Sequence, residues 1–504
     1  MSDSKVSGFL QEGLAPEIAQ GFMEPAMQRS FPAVFPLLSA INKAHVVMLA
    51  RRRLISDDVA KALLRCTVAM EQEGPASVPL DATREEAYFN YEAEVMRRIG
   101  ADTGGRMHIA RSRNDLKATF DRIRSRTYAL DIMDGVAALR GKLIAAGERF
   151  SDCVMPGYTH MQPAQPITFG YYLLGIGSGL ERDFERIAEC YARLNFCPMG
   201  AGALAGTTFP IDRELTAALL GFDGTVMHAQ DAVAARDTLI ELVAACALLT
   251  TTVGRMAQDF YIMTTYEFAT LGLPDRVAIT SSIMPQKKNM SALENLRGRP
   301  AYLAGALMTA LAGFKGTSYS HAHDGSTDAL RWVWDALDEV VLALPVASLI
   351  VETAEPNRKR MLELARENYS TATDLADALV RVAGLSFRDA HHVVGRVVRL
   401  AMESDRRADQ IDRETIRRAA NDVLGRMVDL DDDVIRDAVD PARAVESRQN
   451  TGGPSRRDIE YMLAAMKARL HIDQAELSAR RERVSTAARH LDEEVLTQLE
   501  GRAA

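Results

Sequence analysis

The chain has 504 residues, 47% hydrophobic and 25% charged, with 60 basic and 68 acidic side chains and a formal charge of −8. This is ordinary globular composition, long enough for two to four domains with substantial cores. So mild a charge excludes a general nucleic-acid surface, while local clusters of cations remain able to bind small anions.

Residues 1–112 read as short helical pieces interrupted by Pro and Gly. The opening MSDSKVSGFLQEG has neither a basic start nor an apolar core, so no secretory signal is expected. Helices without strand-like alternation are expected at about residues 117–150, 167–196, 231–268 and 300–311. Another is expected from Ser326, as its N-cap, to Glu355, kinked at Pro345. Apolar residues surround the whole circumference of the 231–268 segment, the pattern of a helix inside a bundle. Its stretch LIELVAACALLTTTV reads as too short and too polar at its edges to span a membrane. From about Asn357 the chain turns charge-rich, with many short amphipathic helices. After Ile472 a last helix places Val484, Ala488, Leu491, Val495 and Leu499 on one docking face.

The reading is an all-α protein in three domains, residues 1–112, 113–363 and 364–504, around a central long-helix bundle. Few strand signals and no Gly-rich phosphate loop argue against a Rossmann nucleotide fold. Cys66, Cys153, Cys190, Cys197 and Cys246 are scattered, odd in number and without CxxC or metal-ligand spacing. That reads as reduced thiols in a cytoplasmic protein.

Three polar islands interrupt the helices: HIARSRND at 108–115, PGYTHMQPAQP at 156–166 and ITSSIMPQKKN at 279–289. Together they suit a substrate that bears carboxylates. Arg113 can give two parallel hydrogen bonds to one carboxylate, and Lys287 adds a compact positive charge. Asn114, Thr159, Ser282 and Asn289 can fix orientation without changing charge, and His160 can move a proton near neutral pH. Ser281 becomes a base only where cations and backbone N–H groups stabilise its alkoxide. Each island also has a plain structural reading: a capped turn at 111–115, a structural histidine at 160, solvated lysines at 287 and 288.

TSSIMPQKKN resembles the GSSxMPxKxN signature of the fumarase/aspartase superfamily. ARSRND and GYTHMQPAQP resemble its two other conserved regions in their argininosuccinate lyase form. GALAGTTFPIDRE (202–214), DAVAARD (231–237), ALENLRGR and RQNTGGPS extend the resemblance over about residues 40–460. Within that branch the whole chain is most similar to a bacterial enzyme that degrades an aminopolycarboxylic acid. The resemblance implies three mostly helical domains, a homotetramer with a long helical core, and active sites each shared by three subunits. It implies reversible elimination of an amine from an N-substituted aspartate to give fumarate. The expected substrate is ethylenediamine-N,N′-disuccinate, losing first N-(2-aminoethyl)aspartate and then ethylenediamine.

In that scheme Ser281 removes the Cβ proton, and Lys287 and Asn289, with loop N–H groups, hold the aci-carboxylate that develops. Ser112, Arg113, Asn114, Thr159, Gln162, Ser282 and Met284 bind the substrate. His160 pairs with Glu294, either to protonate the leaving amine or to position Thr159 and the substrate. Met284, Pro285 and their small neighbours suit a flap that closes and excludes water. No metal or organic cofactor is implied, and neither nucleic acid nor membrane is an expected partner.

The departures from the branch are local. Thr280 replaces the usual Gly, and Met290-Ser291 replaces Pro-Asp after the signature. His321, Ser326 and Ala329 stand where argininosuccinate lyases carry a Tyr, a Gln and a Lys that help form the substrate pocket. Tyr88 replaces a His, and Leu116-Lys117 follows RSRND. Elimination chemistry is left intact while the leaving-group side is rebuilt, which argues against argininosuccinate. Argininosuccinate lyase activity is the enzymatic alternative, and a crystallin-like structural homologue the non-enzymatic one.

Overall fold

The structure is a computed structural model and describes residue 9 and residues 12–501. Helices α1 (Glu24–Arg51), α2 (Asp57–Glu73) and α3 (Ala87–Ile99) build the first core. Ser56 starts α2 by accepting the Val59 N–H at 3.4 Å, and Gly74, at φ 81°, ends it where an L side chain would be strained. Leu38, Ile41, Leu63, Leu64 and Tyr91 are shut away from water between the three helices. The 37-residue α4 (Arg113–Arg149) begins at a capping box made by Ser112 and Asp115. It gives Leu116 and Ile123 to the first core and Ala129, Leu130, Ile132, Met133, Val136, Leu139 and Leu143 to the second, so one rod serves both.

The second core is a bundle of α4, α5 (Phe169–Leu194) and, after the short α6 (Ala229–Ala234), α7 (Asp237–Met263), α8 (Ser291–Phe314) and α9 (Val333–Thr353). Backbones approach closely where glycine permits: a Cβ on Gly170 would lie 2.3 Å from the Gly147 carbonyl oxygen. Similarly, Gly254 of α7 leaves room for the ring of Pro300, which sits inside α8 instead of opening it.

Three other expectations change. The 231–268 helix breaks at Ala235 and Arg236, because the Arg236 guanidinium takes up the Val233 and Ala235 carbonyls at 3.2 and 2.7 Å. Ser326 is no N-cap: it is buried in a π-helical turn, Asp324–Asp328, and α9 starts at Val333. The α7 helix, at 27 residues with a mean hydropathy of 1.5 in its most apolar window, is long and apolar enough to cross a membrane, contrary to the sequence reading. Its apolar residues are occupied by the bundle, with 61% of that window buried.

Strands are few but placed at the islands. β1 (Val154–Thr159) and β2 (Gln162–Thr168) form a hairpin in which Pro156 faces Pro166. A two-stranded ribbon has open edges on both sides, so prolines are tolerated there. β3 (Leu271–Gly272) pairs with β6 (Glu355–Pro356), and β4 (Ile279–Thr280) with β5 (Lys288–Asn289).

The third core is formed by α11 (Ala372–Arg381), α12 (Phe387–Glu403), α13 (Arg413–Leu424) and α14 (Asp432–Val439), reached through α10 (Arg358–Glu367). The last helix, α15 (Arg456–Glu500), leaves this core and returns along the others. Leu477 joins the central core, and Leu491 and Val495 join the first. Ala487, packed against Gly221, takes the place expected of Ala488, which is exposed. Arg140, fully buried in α4, ion-pairs with the equally buried Asp473 of α15 and with Glu181 at 2.8 Å. All five cysteines are buried and unpaired, as free thiols.

Candidate active site

The first island is fixed from below. The Asp115 carboxylate accepts the N–H groups of Ser112, Gly200 and Gly202 at 3.0, 3.0 and 2.9 Å. It thereby ties the start of α4 to the GALAG loop. Burial pushes its carboxyl up to about 6, against the three N–H bonds. Ser112 Oγ accepts the Asn114 N–H at 3.3 Å, and the Asn114 amide donates to the Ala203 carbonyl at 3.1 Å. Arg113 is already engaged: its guanidinium holds Glu85 at 2.9 Å and Glu86 at 3.7 Å, over the Phe89 ring.

Behind it lies a polar cluster. Arg111 donates to Asn42 at 2.7 Å and to the Tyr88 hydroxyl at 3.0 Å, which also bonds Glu92 and His108. Tyr88, noted as a departure, is thus a buried hydrogen-bond hub. His45 Nε2 bonds the Ile109 carbonyl at 2.9 Å; burial, and then the Arg111 charge, push its imidazole down to about 3. His108 is pushed down to about 4 by the same two causes.

The second island is the hairpin tip, which the sequence did not reveal. His160 and Met161 form its two-residue turn with φ of 54° and 59°. Left-handed backbone at both positions ordinarily calls for Asn-Gly. Holding it with His-Met costs about 1 kcal/mol or more per residue, a strain typical of functional sites. His160 makes no hydrogen bond to another described residue and is exposed, as are Thr159 and Gln162. Thr159, His160 and Met161 border a cavity of about 600 Å³ that runs beneath the hairpin to Tyr172 and Asp259, themselves hydrogen-bonded at 2.8 Å.

The third island is the loop between β4 and β5. Ser281 is half-buried, and its Oγ accepts the N–H groups of Met284 and Ile283 at 3.1 and 3.4 Å. Two backbone donors converge on the oxygen that would carry charge as an alkoxide. Asn289 donates weakly to the Thr280 carbonyl at 3.5 Å. Ser282, Met284 and Lys287 are exposed, and Ile283 is 83% exposed. The expected His160–Glu294 pair does not form within the chain, where Glu294 instead accepts the Tyr261 hydroxyl at 2.8 Å. No hydrogen bond or ion pair among the described residues joins the three islands to one another.

The rebuilt segment after Lys315 adjoins the first island. Burial, and then the charges of Arg236, Lys117 and Arg113, push His321 down to about 4. Ser326 and Ala329, expected to line a substrate pocket, are buried; Ala329 packs on Gly313. Two organising residues escaped the sequence reading. Asp115 was signalled by the Ser-x-x-Asp spacing of a capping box. Arg236 carried no signal beyond being a charge between two apolar runs.

Long helices are thus bundled around a common core, with hydroxyl, amide and cationic loops at their ends. The Lyase family profile matches residues 34–305, and the argininosuccinate lyase C-terminal profile matches residues 369–446. The chain is 35% identical to argininosuccinate lyase 1 of Shouchella clausii over 95% of this chain and 96% of that one. It is 38% identical to the argininosuccinate lyase of Haloarcula marismortui over 92% and 91%. EDDS lyase in complex with formate superposes with a TM-score of 0.87 at 32% identity, covering 99% of this chain and 98% of that one. A fumarate lyase from Mesorhizobium sp. BNC1, at 18% identity and a TM-score of 0.70, shares the fold. The chain belongs to the argininosuccinate lyase branch of the fumarase/aspartase superfamily, and it is an enzyme, a carbon–nitrogen lyase.

Proposed function

We propose that the enzyme eliminates the amine from an N-substituted aspartate, releasing fumarate, with ethylenediamine-N,N′-disuccinate as the substrate. The observation that carries the reading is Ser281 Oγ held by two backbone N–H groups at the edge of an exposed loop. In this mechanism the Ser281 alkoxide takes the Cβ proton, and the C–H electrons pass into the adjacent carboxylate as an aci-carboxylate. Lys287, Asn289 and the loop N–H groups stabilise that charge. The electrons then return to form the Cα–Cβ double bond as the C–N bond breaks; the leaving nitrogen, protonated as the substrate's ammonium, takes the bonding pair and departs as a neutral amine, and the proton on Ser281 passes to solvent. Ser112, Arg113, Asn114, Thr159, Gln162, Ser282 and Met284 bind the substrate, whose carboxylate replaces Glu85 on Arg113. His160 supports the developing charge from the strained turn.

The site is assembled from three copies of the chain in a tetramer. Two features support this: among the described residues no hydrogen bond or ion pair joins the islands, and the bundle exposes Leu248, Tyr302, Met308, Leu342 and Leu349. Such apolar exposure on core helices suits an obligate interface. His160 then meets the Glu294 of a neighbouring copy.

Ethylenediamine disuccinate is favoured by the likeness to EDDS lyase over nearly the whole of both chains and by the altered 317–331 segment. Argininosuccinate is the second reading, favoured by the curated relatives at 34–38% identity. Fumarate release, followed by ultraviolet absorbance with each compound offered separately, decides between them. Release from the disuccinate alone supports the first; release from argininosuccinate alone replaces it with the second.

A further inference from the structure

The cavity beneath the hairpin is bordered by neither of the other two islands: no residue of 108–115 or 279–289 lines it. Ile167, Ile262, Met263, Phe268 and Met361 form an apolar wall, and the volume of about 600 Å³ suits a small organic molecule. Methionine side chains are flexible and polarisable, so such a wall can shape itself to an apolar body. One lining residue is acidic, Asp259 of α7, and none is Lys or Arg.

Asp259 is half-buried, and its Oδ2 accepts the Tyr172 hydroxyl at 2.8 Å. Burial, and then the Asp259 charge, push the Tyr172 phenol up, so at neutral pH the phenol is the donor and Asp259 the charged acceptor. Asp259 Oδ1 makes no hydrogen bond to a described residue, and no described cation lies within ion-pair range of either oxygen. Arg255, one turn earlier on α7, is exposed and makes no ion pair with it. A carboxylate taken partly out of water without a counter-charge is costly, and a cation brought to it offsets that cost. Tyr158, Tyr172 and Phe268 add ring faces, which also attract a cation.

We propose that this cavity binds a protonated primary amine with an aryl or alkyl body, at a site separate from that of the substrate. The ammonium donates to Asp259 Oδ1, and the apolar body lies against the methionine and aromatic wall. The occupant sits under the turn that carries His160, away from the Ser281 loop. The site is independent of which N-substituted aspartate is cleaved.

The test is calorimetric titration of the full-length enzyme with 2-phenylethylammonium and with 2-phenylethanol, which match in body and differ in charge. It is repeated on Asp259→Asn, whose amide oxygen still accepts from Tyr172, and on Ala164→Phe, which fills the cavity from β2. The expected result is about tenfold tighter binding of the ammonium by the wild type. Asp259→Asn should bring the two ligands within about twofold of each other, and Ala164→Phe should weaken both by about fivefold or more. Equal affinity for the two ligands in the wild type overturns the site. So does an ammonium affinity that either substitution leaves unchanged, which would place binding at the islands. Absence of ammonium binding to the wild type overturns it as well, a cation of a neighbouring copy then holding Asp259. Should Asp259→Asn fail to melt cooperatively, Ala164→Phe decides, since it leaves the carboxylate and its hydrogen bond in place.

Discussion

At residues 111–115 almost every polar group is bound inside the chain; at residues 281–287 almost none is. Asp115 alone holds three backbone N–H groups, Asn114 is tied to Ala203, and Arg111 is bonded to two side chains. The 281–287 loop has one oxygen with two donors and a short two-residue strand pair at its base. The comparison separates two tasks that polar residues perform at one site. In the proposed mechanism the first is a rigid wall that keeps its geometry before substrate arrives, and the second a closing piece that forms its bonds only on closure.

The sharpest break is at the closing piece. Ser281→Ala should lower kcat by about 10³-fold or more while leaving the melting transition in place, because removing the base touches no packed core. An unchanged kcat, measured by fumarate release, would remove serine from the base role. At the rigid wall the sign reverses: Asp115→Ala leaves three N–H groups without an acceptor and should lower stability by roughly 3–5 kcal/mol. Urea unfolding followed by circular dichroism checks this, and a loss under about 1 kcal/mol would mean that water substitutes freely there.

The wall should also weaken in acid. His45 ionises near its ordinary value when unfolded but only at about 3 when folded. Between those values the unfolded chain binds the proton and the folded chain does not, so stability falls as pH drops. The slope is at most about 1.4 kcal/mol per pH unit. Asp115, pushed up to about 6, works in the opposite direction at its own site. The measurement is therefore the difference in slope between wild type and His45→Gln, which keeps a donor for the Ile109 carbonyl. Equal slopes would place the acid sensitivity elsewhere. The smallest effect is at the hairpin: replacing His160-Met161 by Asn-Gly should raise stability by about 1–2 kcal/mol while reducing turnover.

The long helices were legible because their apolar residues recur around a helical circumference, and α4 and α5 appear within a few residues of expectation, while α7 is shorter at both ends. Short-range cancellation defeated the rest. The hairpin is hidden because prolines erase alternation and its turn lacks glycine. The break at Arg236 depends on where one side chain finds its acceptors, which no periodicity records. The polar islands were legible as breaks between helices: Thr159 and His160 stand exposed at a hairpin tip and Ser281 half-buried in a loop. Glu294 is bonded to Tyr261 within its own chain, where the sequence reading pairs it with His160; spacing along a chain does not record which acceptor a neighbouring hydroxyl reaches.

The path of α15 has a consequence for biosynthesis. The first core is closed by Leu491 and Val495, contributed by the last helix. At ordinary rates of translation, tens of seconds separate synthesis of the first helices from arrival of these residues. During that interval the apolar faces that will receive them stand open on the nascent chain, exposed to chaperones and to other nascent copies. The first core can therefore fold as it emerges only without these two residues, and its packing is completed when the last helix arrives.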